Sequence, residues 1–212
     1  MSSLSARPRL NAAARRAAIL DAAQSVFGQR GYHGTSIDDV AQAAGISKAL
    51  IYEHFASKRE LHAELVALHA GELFQRLSAN ADAGTSGGPR MRDGVDIFFR
   101  WVEENREAWR VLFRDSGDEE IADITANVQA QALNLMVALS HADPDAPVRR
   151  PDQTEEEYER QIEQYSQLLS GAVQALANWW HDHPAVPREE LVQRVMEFAW
   201  TGLERQHRLD AT

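Results

Sequence analysis

The chain has 212 residues, 44% apolar and 25% charged, ordinary globular proportions with enough length for a substantial core in one large or two small domains. It contains no cysteine, which excludes disulfides, thiolate metal sites and direct thiol redox chemistry. The net charge is −10, yet residues 1–60 hold eight Lys+Arg against five Asp+Glu (+3), while the remainder holds 14 against 27 (−13), the asymmetry of a basic nucleic-acid-binding end on an acidic body. No apolar run approaches bilayer length, and the segment after Met1 lacks an apolar signal core, so a cytoplasmic protein with no membrane association is expected.

In chain order, residues 1–10 carry Arg7 and Arg9 around Pro8 without periodicity. They are expected to form a flexible arm, either a plain tail or one that reaches DNA. Residues 11–30 then repeat apolar side chains at Ile19, Leu20, Ala23, Val26 and Phe27, an amphipathic helix, and Gly31 and Gly34 bracket a loop. The stretch from Thr35 to Lys58 is the most informative of the chain. Ile37, Val40, Ala41 and Ala44 share one helical face, and Thr35 with Asp38 or Ser36 with Asp39 can cap its start. Gly45 suits a left-handed helix end. Ser47 can cap a second helix that turns Ile51 and Phe55 inward, and Ser57 with Glu60 opens a third. Helix, glycine-containing turn and helix together make the helix-turn-helix pattern.

Downstream, a long helix is expected from Lys58 to about Asn80, with Leu61, Leu65, Leu68, Leu73 and Leu77 inward. Residues 83–89 read as a loop, followed by aromatic-rich helices over Val95–Val102 and Ala108–Phe113 with a bend near Asn105, Phe98 and Trp101 facing in and Phe99 elsewhere. Another helix covers Ile121 to Leu139, a proline-rich connection covers Ala142 to Asp152, and the pair Thr154–Glu157 opens a helix to about His181. Pro187 starts a last helix reaching about Arg208. No alternating strand pattern occurs, so the expected fold is all-α with about nine helices. The expected division is a flexible arm over 1–10, a helix-turn-helix domain over 11–57 and an effector-binding and dimerisation domain over 58–212.

The segment Thr35-Ser36-Ile37, the turn Ala44-Gly45-Ile46-Ser47, the helix end Ile51-Tyr52-Glu53-His54-Phe55 and the following Ser57-Lys58 resemble the TetR family of bacterial transcriptional regulators. The likeness is close over residues 15–70 and extends to the rest only in plan. It implies a ligand-responsive repressor that binds a palindromic operator as a homodimer and is released by a small effector, with no cofactor.

In a helix-turn-helix the second helix presents its N-terminal side chains to base edges and phosphates. The expected DNA contacts are therefore Ser47, Lys48, Ala49 and Tyr52, with Thr35 and Ser36 at a helix N-terminus that suits a phosphate, and Lys58 beyond; His54 has the reach, and the resemblance places both Tyr52 and His54 on phosphates. Glu53 is an unexplained acid, able to accept from cytosine or to pair with Lys48 or Arg59. Phe74, Phe98, Trp101, Trp109, Phe113, Met136 and Tyr165 are candidates for a mostly apolar effector pocket, or else ordinary core. Leu169, Val173, Trp180, Leu191, Val195 and Phe198 follow the three- and four-residue steps of a helix–helix seam and are assigned to the dimer interface. No nucleophile–base pair or metal cluster stands out, so an enzyme is not expected. An adaptor that keeps the helix-turn-helix fold for protein contacts is the remaining alternative.

Overall fold

Local chemistry at the helix starts sets most of the architecture. A computed structural model describes residues 11–81, 84–113, 119–146 and 148–200. Among these there are nine α-helices, one π-helical turn and no strand. The arm over 1–10 and the end of the last helix lie outside them. The helices are α1 (Ala12–Arg30), α2 (Ile37–Ala44), α3 (Lys48–Tyr52), α4 (Lys58–Ala81), α5 (Gly87–Glu104), α6 (Arg106–Phe113), α7 (Ala122–His141), α8 (Glu155–Asp182) and α9 (Arg188–Val195), which passes into the π-turn Met196–Trp200. Side chains of Asn11, Ser36, Ser47 and Thr154 cap α1, α2, α3 and α8, the last with a reciprocal bond from Glu157.

The packing divides into two units. The first comprises the chain up to Leu68 together with Glu107–Ala122, and the second takes His69–Arg106 and everything from Asp123 onward. The expected boundary after residue 57 therefore does not coincide with the division. The Ser57 cap marks where a helix begins, whereas Leu61, Leu65 and Val66 on the same helix still complete the core of the first unit. That core holds Ile19, Phe27, Tyr32, Val40, Ile51 and Phe55, and residues 107–122 add Ala108, Trp109, Val111 and Ile121.

In the second unit, Val95, Phe98, Phe99, Trp101 and Val102 of α5 are buried, with Val173, Ala177 and Trp180 of α8 and Leu191, Val192 and Val195 of α9. Phe99 does not point away, as its spacing predicts. It is fully buried and meets Trp180 edge to face, ring centroids 6.0 Å apart, because α5 is covered on more than one side. The loop expected over 83–89 ends at Ser86, and Gly87, Gly88 and Pro89 form the first turn of α5, the one turn where proline costs no hydrogen bond. On α4, Leu68 is 55% exposed and His69 takes the inward place, in step with Leu61, Leu65 and Leu73.

The seam assigned to a second copy is corrected here. Val173, Trp180, Leu191 and Val195 are buried inside the single chain, and Leu169 is half-buried. Trp180 also donates its indole N–H to the Val186 carbonyl at 2.8 Å. Of the six residues only Phe198 is exposed, with Leu168 and Trp179 beside it in that class.

Candidate nucleic-acid interface

α2 begins where Ser36 Oγ accepts the Asp39 N–H at 3.1 Å and Asp39 Oδ2 accepts the Ser36 N–H at 2.9 Å. These bonds, with the Ser36 hydroxyl first and Arg30 adding a charge contact at 2.6 Å, hold the Asp39 carboxyl below its usual range. Thr35 does something different from the expected phosphate contact. It is buried, and its hydroxyl donates to the Gly31 carbonyl at 2.8 Å, so it fastens the loop before α2. Ser36 is exposed, as a phosphate contact requires.

Gly45 ends α2 at φ +66° and ψ +33°, and the Ile46 N–H returns to the Ala41 carbonyl at 3.0 Å. Ser47 Oγ then accepts the Leu50 N–H at 3.3 Å. The five-residue helix α3 turns Ile51 inward, with Phe55 following it into the core. Its other side is open: Ser47, Lys48, Ala49, Tyr52 and Glu53 are all exposed. The neutral small side chains and the Tyr52 phenol leave room for a base edge or a phosphate to approach.

Two of the expected contacts are committed elsewhere. Lys58 is half-buried, donates to the Tyr32 carbonyl at 3.0 Å and stands 4.0 Å from the centre of the Tyr32 ring, so it secures the loop before α2. His54 is half-buried, and its Nε2 is closed off with no hydrogen-bond partner. Lys48 is exposed, and its ammonium is 2.8 Å from Asp38 Oδ2. That hydrogen bond and charge raise the Lys48 pKa. Lys48 thus pairs with Asp38 of α2 rather than with Glu53, and Arg59 donates to the Glu120 carbonyl at 3.2 Å.

Arg16 is the residue that sequence reasoning missed. Its Nε donates to Glu64 Oε1 at 2.8 Å, its Nη2 pairs with Glu64 Oε2, and its Nη1 donates to the His54 carbonyl at 2.8 Å. The guanidinium lies 4.3 Å from the centre of the Phe55 ring. One side chain on α1 therefore fixes the end of α3 against α4 through a two-pronged carboxylate pair. The partners are 38 and 48 residues away in sequence, and no local pattern signals them.

The pocket candidates are divided between the two units. Phe98 and Trp101 are buried core of the second unit, Trp109 is buried in the first unit, and Phe74, Met136 and Tyr165 are half-buried. The Phe113 side chain lies outside the described residues. An open cleft in the second unit is lined by Thr85, Ser86, Gly87, Gly88, Pro89, Asp145 and Trp200, none of them predicted. Within the core, His69 of α4 faces Trp101 at 6.4 Å between ring centroids, and both its ring nitrogens and the Trp101 Nε1 are buried without a hydrogen-bond partner. Burial lowers the His69 pKa.

Comparison with known proteins places this geometry. Residues 19–65 match the model for bacterial regulatory proteins of the tetR family, and residues 88–202 match that for tetracyclin repressor-like C-terminal domains. The chain is 29% identical over 189 residues to the HTH-type transcriptional activator FasR of Mycolicibacterium smegmatis, spanning 89% of this chain and 83% of that protein. It is 32% identical over 101 residues to the HTH-type transcriptional repressor KstR2 of Mycobacterium tuberculosis, 48% of this chain and 50% of the other. A TetR-like regulator from Rhodococcus sp. RHA1 superposes with a TM-score of 0.73 at 26% identity, covering 92% of this chain and 99% of that one. The regulator FadR of Bacillus subtilis, solved in complex with stearoyl-CoA, superposes at 0.74 over 88% and 98% of the two chains with 16% identity, a likeness of fold.

Proposed function

Because the chain belongs to the tetR family of bacterial regulatory proteins, we propose that it is a repressor that binds a palindromic operator as a homodimer and leaves it when a small, mostly apolar effector binds. That it is a DNA-binding transcriptional regulator and not an enzyme follows from the family. The operator contacts, the second copy and the effector are the proposal. The observation that carries it is the open side of α3, where Ser47, Lys48, Ala49 and Tyr52 stand exposed beside the capped, exposed Ser36 of α2. Repression needs nothing beyond occupancy of a promoter, and KstR2 is named as a repressor. FasR is named as an activator, so activation from an upstream site is the second reading.

The homodimer draws support from an uncovered stripe on α8. Leu168, Ala172, Ala175 and Trp179 recur at three- and four-residue steps, with Leu168 62% and Trp179 45% exposed, and Phe198 in the π-turn is 70% exposed. A symmetric pair would bury this surface and present two α3 helices to the half-sites of one palindrome. For the effector, a protein of the same fold holds stearoyl-CoA, which makes an apolar chain a reasonable occupant of the second unit.

The test is operator selection from random DNA followed by binding of variants. Lys48→Ala and Tyr52→Ala should each weaken the selected operator by about tenfold or more, in line with about 1–3 kcal/mol for a specific contact, with unchanged thermal melting. Variants that bind like the parent, with the same salt dependence, would refute the assignment of α3.

A further inference from the structure

Among the described residues, five cations of the N-terminal segment each have a hydrogen-bonding or charged partner within the chain. Arg16 is held by Glu64 and the His54 carbonyl, Arg30 by Asp39, Lys48 by Asp38, Lys58 by the Tyr32 carbonyl and Arg59 by the Glu120 carbonyl. Four of these fasten parts of the first unit to one another. The fifth, Lys48–Asp38, spans the turn of the helix-turn-helix itself, with both side chains exposed, 47% and 67%. It places a carboxylate oxygen 2.8 Å from the one ammonium on α3, where a DNA phosphate oxygen would otherwise sit. Glu53 is a second exposed acid, at the opposite, C-terminal end of α3.

We propose that Asp38 is a positioning residue for selectivity: it occupies Lys48 as an internal stand-in for phosphate, so that Lys48 turns to DNA only where base contacts offset the exchange. Exposed ion pairs of this kind are weak and screened by salt, so an operator can displace Asp38. On unrelated DNA the gain from one phosphate contact is offset twice, by the lost pair and by the carboxylate left beside the backbone. Non-specific binding rests almost entirely on phosphate neutralisation. A device that withholds one cation from it therefore lowers binding to bulk DNA more than binding to the operator.

The experiment uses the full chain and a random-sequence 30-base-pair duplex as the probe, with affinity measured across salt concentrations. One additional phosphate neutralised changes the slope of log affinity against log salt by about −0.9, worth roughly tenfold at about 0.05 M salt. Asp38→Asn should therefore bind the random duplex about tenfold more tightly at low salt, with a slope steeper by about one. Lys48→Ala alone, which leaves Asp38 without its ammonium, should bind the random duplex no more tightly than the parent. The double variant Asp38→Asn/Lys48→Ala should return to the parent's values, and Asp38→Glu should keep them. If the gain of Asp38→Asn persists undiminished with Lys48→Ala, the carboxylate acts by general repulsion and not through Lys48, and the proposal fails. It fails equally if Asp38→Asn leaves the slope unchanged. Should Asp38→Asn melt early, Asp38→Ser, another favourable residue for a first helical turn, gives the same readout.

Discussion

The surroundings of His69 disfavour its protonated form. Burial in the second unit penalises the imidazolium, and Glu72 one turn away only partly opposes this. The folded state thus refuses a proton that the unfolded chain accepts. The stability this ring allows is fully present above the ordinary histidine value and drains away as pH falls through it toward the folded value. As pH falls below the ordinary histidine value the parent should therefore lose melting temperature relative to His69→Leu, and parallel melting curves would absolve this residue. The apolar steps of α4 pointed to Leu68 at this place. Residues 61, 65, 69 and 73 advance by four, and that series passes through a histidine that a search for leucines skips. Caps were legible for the opposite reason. Ser36, Ser47, Ser57 and Thr154 bond to backbone N–H groups three residues away, a reach contained in the local sequence. Arg16, whose partners come from the turn after α3 and from α4, is not legible in this way.

Two glycines separate what a helix needs from what its neighbours need. Gly45 closes α2 in the left-handed region, and a Cβ there would meet nothing within 4 Å. The cost of Gly45→Ala is thus conformational only, about 1–2 kcal/mol, read as an earlier chemical denaturation midpoint with an unchanged slope. At Gly88, a Cβ would stand 2.9 Å from the Trp200 indole. Gly88→Ala should destabilise by about 1–3 kcal/mol through overpacking, and most of that loss should vanish in a Trp200→Ala background, which denaturation of the four proteins in the cycle would reveal. Gly45 was readable because a turn between two amphipathic runs calls for a residue free of Cβ. Gly88 reads as loop from its neighbours, since the reason for its missing side chain is an aromatic ring that arrives from the π-turn 112 residues later in the chain.

At the scale of the whole molecule, α8 turns one apolar stripe inward and leaves another outside. The three- and four-residue steps of α8 and the last helix do not say which stripe the chain keeps for itself. Val173 and Trp180 went inward, and Leu168 and Trp179 remained outside. If the exposed set joins two copies, Trp179→Glu/Phe198→Glu should sediment as a monomer at micromolar concentration and lose operator binding by about 100-fold or more, since each half-site then binds alone. A parent that sediments as a monomer would overturn the homodimer outright.

The first unit is completed by residues 107–122, which the chain reaches only after passing through part of the second. The Cβ of Glu107 closes on α1 where Gly28 leaves it room, the Tyr32 hydroxyl donates to Glu120 at 2.6 Å, and Arg59 takes the Glu120 carbonyl. A nascent chain that has exposed only α1 to α4 therefore carries the whole helix-turn-helix without the segment that covers its back. On the ribosome the unit that carries the helix-turn-helix is finished only once more than half of the polypeptide has emerged, and a gene fragment cut after Leu68 would encode the reading head without its support.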